Sequence, residues 1–211
     1  WGYIAGELVR RVSKRSLGAI LREDICKPLG IDFWIGLPES EHDRVAQLLK
    51  PKTAAQFPHK NEATRAAFLT PWAAANRGAT EWRLAEIPSA NGHGTAAALA
   101  RLYSAYALKG RIGETRVIAP VTWDELTRER VSGEYRVLPV KVAFGAGVMR
   151  NLPLIYGPNP STLCHSGWGG SGAFGDPDTG LSGGYIMNRQ GTHLLEDDRR
   201  SRLIDALYRC L

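Results

Sequence analysis

The sequence predicts an α+β domain in which helices come first, an antiparallel sheet follows and a final helix covers the sheet. Three observations carry this. Apolar residues recur at three- and four-residue spacing in several segments before Arg130. After Gly133 short apolar runs alternate with Gly and Pro clusters, the pattern of strands joined by tight turns. The last residues return to helical spacing. The 211 residues are 44% hydrophobic and 23% charged, which excludes a disordered or fibrous chain. A chain of this length buries a core without disulfide or metal staples.

The opening reads as helix, with Ile4, Ala5, Leu8, Val9 and Val12 on one side and Glu7, Arg10, Arg11 and Lys14 on the other. No capping residue precedes it. Ser16 is placed to cap a second helix whose stripe is Leu17, Ile20, Leu21 and Ile25 and which Pro28 and Gly30 end. Ile31 to Leu37 predicts a short strand or extended connector, and Glu39 to Leu49 a weak helix. From Lys50 to Ser89, Pro51, Pro58, Pro71 and Pro88 break the pattern, while Asn61, Asn76, Arg77 and Gly78 suggest turns. Short helices and loops packed over the body are expected there. Thr95 caps a helix carrying Leu99, Leu102, Tyr103 and Tyr106, with Gly110 past its end, and Pro120 opens another that stops near Arg130. Phe144, Ala146 and Val148 alternate with Gly145 and Gly147. Strands are expected there and at Thr162 to Ser166, Ser171 to Gly175 and Gly184 to Asn188. Asp197 and Asp198 favour the start of the closing helix, whose stripe is Leu203, Ile204, Leu207, Tyr208 and Leu211.

Charge and cysteines narrow the function classes. The formal net charge is +6, but the basic residues are scattered without a clustered face, so a nucleic-acid partner is not expected. No run of eighteen apolar residues and no leader-like opening occurs, so a transmembrane segment is not expected. Cys26, Cys164 and Cys210 are odd in number and lack C-x-x-C spacing, which predicts buried thiols in a reducing, cytoplasmic compartment. His42, His59, His93, His165 and His193 contain no H-x-x-x-H pair, so no metal is expected, and nothing calls for a cofactor.

Two motif matches fail on context. Gly167 to Gly172 fits G-x-G-x-x-G, but Gly175, Pro177 and Gly180 forbid the helix whose N-terminus would face a pyrophosphate. Gly180 to Gly184 fits G-x-S-x-G, but a nucleophile elbow needs strand, turn and helix. Here Ser182 is expected in a hairpin turn that leads into strand-like residues. Cys164-His165-Ser166-Gly167-Trp168-Gly169-Gly170-Ser171 has two readings. It is a glycine-rich hairpin with one surface histidine, or a strand edge that offers a backbone N–H to an oxyanion. Local sequence favours the plain hairpin.

Four stretches in order decide otherwise. They are Gly2 to Val12 continuing through Arg15-Ser16-Leu17 to Pro28-Leu29-Gly30-Ile31, then Pro88-Ser89-Ala90-Asn91-Gly92-His93-Gly94-Thr95 with Leu99 to Tyr103, then Phe144 to Val148, and finally His165-Ser166-Gly167 through Gly170-Ser171 to Phe174-Gly175-Asp176-Pro177 and Tyr185 to Arg189. Together they resemble the serine β-lactamase and penicillin-binding-protein-like superfamily, in its class C-like esterase branch. The resemblance implies a partial β-lactamase/transpeptidase-like fold, an antiparallel sheet with flanking helices. Residues 1–211 would be the C-terminal portion of a single domain.

In such proteins a serine of Ser-x-x-Lys attacks an ester or β-lactam carbonyl, the Lys and a Tyr of a Tyr-x-Asn-like motif handle the proton, and Lys-Thr-Gly or a His-containing variant lines the opposite wall. This sequence matches only the third motif, at His165-Ser166-Gly167. The resemblance implies His165 at the substrate or proton network, Ser166 and Gly167 on the pocket wall, the Trp168 N–H in the oxyanion hole, and Asn91 and Gly92 on a nearby loop. None of Lys14, Lys27, Lys50, Lys52, Lys60, Lys109 and Lys141 has Ser three positions earlier. The nucleophile and its base are therefore expected outside the chain, and these residues alone are expected to be inactive and to keep an open sheet edge. The reading is a carboxylesterase acting through an acyl-enzyme, since histidine is a weaker fixed cation than lysine beside a lactam carboxylate. A β-lactamase or DD-peptidase is the enzymatic alternative, and a noncatalytic scaffold the alternative of another class.

Overall fold

The computed structural model describes residues 1–53, 61–69, 78–138, 140–192 and 195–211. The turn residues Asn76 and Arg77 and the breaks at Pro58 and Pro71 lie outside them. The helices are α1 (Gly2–Ser13), α2 (Leu17–Ile20), α3 (Glu62–Phe68), α4 (Thr80–Leu84), α5 (Ala96–Ala107), α6 (Pro120–Thr127) and α7 (Asp198–Tyr208). The strands are β1 (Phe33–Ile35), β2 (Gly92–Gly94), β3 (Arg111–Ile112), β4 (Thr115–Arg116), β5 (Val131–Glu134), β6 (Lys141–Phe144), β7 (Met149–Arg150), β8 (Leu163–Ser166), β9 (Gly172–Asp176) and β10 (Leu181–Tyr185). Among the described residues no helix is long and apolar enough to cross a membrane.

The caps foreseen at Ser16 and Thr95 form, and Asp197, expected only as a charge favouring the start of its helix, caps it as well. The Ser16 side chain accepts from the Ala19 N–H, Thr95 from Ala98 and Asp197 from Arg199. Pro120 is the first residue of α6, and Gly110 takes the positive φ that ends α5. After α2 the helix widens into a π turn over Leu21–Cys26. Of the weak helix at Glu39 to Leu49, only a 3₁₀ segment, Glu39–Arg44, forms.

The main sheet is an antiparallel meander in the order β10-β9-β8-β7-β6-β5. The helix α5 covers one face at β9 and β10. A Cβ on Gly175 would come within 2.4 Å of the Tyr103 carbonyl, and one on Gly184 within 2.8 Å of the Ala96 carbonyl, so both glycines are what lets α5 approach. The other side of α5 buries Ala98 and Ala105 with Cys26, Ile31 and Ile112. It is thus a two-faced central helix, not the one-sided one its stripe of Leu99, Leu102, Tyr103 and Tyr106 predicts. The opposite face of the sheet packs Met149, Tyr156, Cys164 and Phe174 against Ile204 and Tyr208 of α7.

Three local expectations are corrected. Phe144 to Val148 is not one strand. It ends β6 and turns back, with Gly147 at φ +87 and the Gly145 N–H on the Val148 carbonyl. Ser182 lies inside β10, opposite Gly175, and not in a hairpin turn. The stripe of α7 splits: Ile204 is 6% exposed but Leu203 is 60% and Leu211 71%. Arg200, Ile204 and Tyr208, spaced by four, form the face on the sheet. The apolar side of α1 is also open, with Ile4 73% and Val12 79% exposed. Among the described residues no strand pairs with the outer edge of β10.

Candidate functional site

The candidate site is the turn between β8 and β9. The neighbouring strand β7 pairs with β8 only as far as Cys164, so His165 and Ser166 extend beyond it. On the other side they pair with Ala173 and Gly172. Alternation along β8 sends the two side chains to opposite faces. His165 lies on the side of Ala173, which is the α5 side, and is exposed. Its Nδ1 is 2.8 Å from the Ser166 carbonyl oxygen. A carbonyl only accepts, so Nδ1 carries a proton and Nε2 is the nitrogen left for other partners.

Ser166 is buried on the opposite side. Its hydroxyl donates to the Leu195 carbonyl at 2.8 Å and lies 2.9 Å from the Tyr156 hydroxyl. Gly167 begins the turn, its N–H on the Ser171 carbonyl at 2.7 Å, and a Cβ there would sit 2.3 Å from Ser171 Oγ. Gly169 and Gly170 take φ +97 and +113, where other residues would be strained. Between them and Gly167 stands Trp168, half-buried, its ring meeting Phe68 of α3 edge-on at 5.3 Å.

The turn is held from outside as well. The Gly191 N–H donates to the Gly169 carbonyl at 2.7 Å, and Arg199 donates to the same carbonyl at 3.2 Å. Arg199 also holds Asp197, through which its guanidinium keeps that carboxyl below the usual range. Beneath the turn burial pushes the Cys164 thiol up to about 12, which makes it an inert core group.

Asn91 is built differently. It is buried, its Oδ1 accepts from the Ile87 N–H at 2.9 Å, and its Nδ2 donates to the carbonyls of Trp82 (2.7 Å) and Ala85. Every polar atom of this side chain holds its own loop. Gly92 follows on β2, where a Cβ would strike the Phe33 ring at 2.6 Å. His93, opposite Trp34, is half-buried and held below the ordinary histidine value by burial above all. The sequence reading missed Tyr156 and Arg200, which pack behind the turn. Neither carries a local signal, since Arg200 sits among charged neighbours in the run from Glu196 to Arg202 and Tyr156 in a Gly- and Pro-rich loop.

A family model described as Beta-lactamase matches residues 1–207. The chain belongs to the β-lactamase family. It is 31% identical over 216 aligned residues to "Esterase/beta-lactamase LipL" of Mycobacterium tuberculosis (strain ATCC 25618 / H37Rv), covering 94% of this chain and 49% of that protein. It is similar to a penicillin-binding-protein homologue from Caulobacter crescentus (TM-score 0.94, 54% identity), covering 100% of this chain and 57% of that one. It is also similar to a family VIII carboxylesterase (TM-score 0.86, 39% identity), with coverage of 99% and 56%. The chain therefore spans about half the length of the relatives it matches.

Proposed function

We propose that these residues are the C-terminal portion of a single β-lactamase-like domain and form one wall of the active site of a serine carboxylesterase. The nucleophilic serine and its base come from sequence outside the chain. The observation that supports this most is an exposed His165 on a strand end that β7 leaves open, within a chain matched by the family along residues 1–207. The names of two relatives, an esterase/beta-lactamase and a family VIII carboxylesterase, supply the reaction class.

The chemistry follows from the wall. As an ester carbonyl is attacked its oxygen becomes negative, and a main-chain N–H fixed by a tight turn stabilises it without reorganising. Trp168 supplies that N–H in this reading. His165 presents Nε2 to the substrate or to the proton network, oriented by Nδ1 on the Ser166 carbonyl. Gly167 keeps the approach open, and Ser166 serves the frame, since its hydroxyl is spent behind the strand. Asn91 shapes the neighbouring loop. The exposed side of α1 and the open edge of β10 are where the remainder of the domain packs. The thiols of Cys26, Cys164 and Cys210 are free, which fits a cytoplasmic location, although Cys210, near the end of the last helix, is exposed and not buried as expected.

The test compares the 211-residue chain with a full-length polypeptide that includes the upstream sequence, using p-nitrophenyl esters. The longer protein turns the ester over and the shorter does not. Turnover by the shorter one, abolished by changing one of its own serines, overturns the proposal. The name of the mycobacterial relative favours β-lactam hydrolysis as the second reading, and a chromogenic cephalosporin in the same assay separates the two.

A further inference from the structure

We infer that Tyr156 and Arg200 are positioning residues that fix the β8–β9 turn from behind. The inference rests on the reading of that turn as the oxyanion wall. The Tyr156 hydroxyl donates to the His165 carbonyl at 2.8 Å and meets Ser166 Oγ at 2.9 Å, so one phenol touches two consecutive residues of the wall. Tyr156 is fully buried and cannot swing away. Its own N–H is held by Asn151 Oδ1 at 3.1 Å, while Asn151 Nδ2 holds the Gly157 and Asn159 carbonyls, which stiffens the loop that delivers the ring.

Arg200 closes the arrangement. Its guanidinium carbon lies 4.5 Å from the centre of the Tyr156 ring, over its face. Its nitrogens donate to the Ser171 carbonyl at 3.2 Å and to the Leu195 carbonyl, the acceptor that Ser166 also uses. Among the described residues no carboxylate pairs with this buried guanidinium, and its Nε has no partner. A buried charge without a counter-ion is a poor source of stability. What this one does is tie the Ser171 end of the turn to α7 directly and the Ser166 end through the shared Leu195 carbonyl. Gly172 admits the pair, because a Cβ there would lie 2.1 Å from the Tyr156 hydroxyl oxygen and 2.8 Å from Arg200.

The hydroxyl touches main chain and Ser166, not the open face, so its loss should act on placement. In the full-length protein Tyr156→Phe lowers kcat about tenfold, because small displacements of a fixed group are costly, and leaves KM within about twofold. Arg200→Lys lowers kcat in the same direction. Tyr208→Phe is the control. It also loses a hydroxyl, a half-buried one bonded to Asp176 at the far end of β9, and so loses stability while keeping kcat. Amide exchange of Gly167 speeds up in Tyr156→Phe and Arg200→Lys but not in Tyr208→Phe. Equal kcat in Tyr156→Phe and parent, or an equal fall in both tyrosine variants, overturns the inference. If the parent has no esterase activity, the reading of the wall fails, and Gly167 exchange alone still decides whether the pair holds the turn.

Discussion

The hairpin around Gly167 and the loop around Asn91 both combine glycine, serine and histidine, yet they use them in opposite ways. In the hairpin the polar side chains behind the strand are consumed by the frame, and His165 is left in the open with its Nδ1 already engaged. In the loop the polar side chain with the most hydrogen-bonding capacity, Asn91, is consumed by its own backbone, and His93 is half-buried against β1. A buried amide with all its polar atoms satisfied is shape. Under the proposed function, an exposed imidazole with one nitrogen oriented is the group left to act on a substrate.

Substitutions test that contrast. The largest effect is expected at His165. In the full-length protein His165→Ala lowers ester turnover about a hundredfold, the loss typical of a well-placed polar group at the reacting centre, while the urea midpoint hardly moves. An unchanged rate removes His165 from the site. Next is Asn91→Ala, which strands one N–H and two carbonyls and costs about 2–3 kcal/mol in urea unfolding. Turnover per folded molecule stays near the parent value. A hundredfold fall with stability intact would make Asn91 a site residue and erase the difference between the two regions.

A smaller effect concerns acid. Burial works to raise the Asp176 carboxyl, but bonds from Tyr208, Asn159, the Asp178 amide and Thr179 hold it below its ordinary value. A carboxyl lowered in the fold contributes stability above its ordinary value, near about 4, and loses it as pH falls through the lower folded value. Unfolding midpoints below about pH 5 should therefore drop more steeply in the parent than in Asp176→Asn. The smallest effect is chemical. Cys210 is exposed and should alkylate quickly with iodoacetamide, while the native Cys164, buried and raised to about 12, stays unlabelled by mass spectrometry.

The elements whose evidence is local were readable in advance. Ser16, Thr95, Asp197 and Pro120 mark helix starts because a cap needs only its own first turn. Periodicity told less about facing. Leu203 and Leu207 look like core on a helical wheel, but α7 turns Arg200, Ile204 and Tyr208 to the sheet, where Tyr208 packs beside Phe174 and Arg200 donates beneath the turn. The same holds for Ser182, whose glycine neighbours suggest a turn although they make room for Phe174 and α5 in the middle of a strand.

By itself the sequence determined the class of the domain and the order of its elements, because composition, spacing and turn glycines are properties of neighbouring residues; the segment His165 to Ser171 came forward as a candidate only through the resemblance of four stretches in order. Only the tertiary structure decided that Ser166 faces away from His165, that Asn91 belongs to its loop and that Tyr156 and Arg200 stand behind the wall. The physical reason is that a polar side chain is defined by its hydrogen-bond partners, and those here lie up to 30 residues away along the chain.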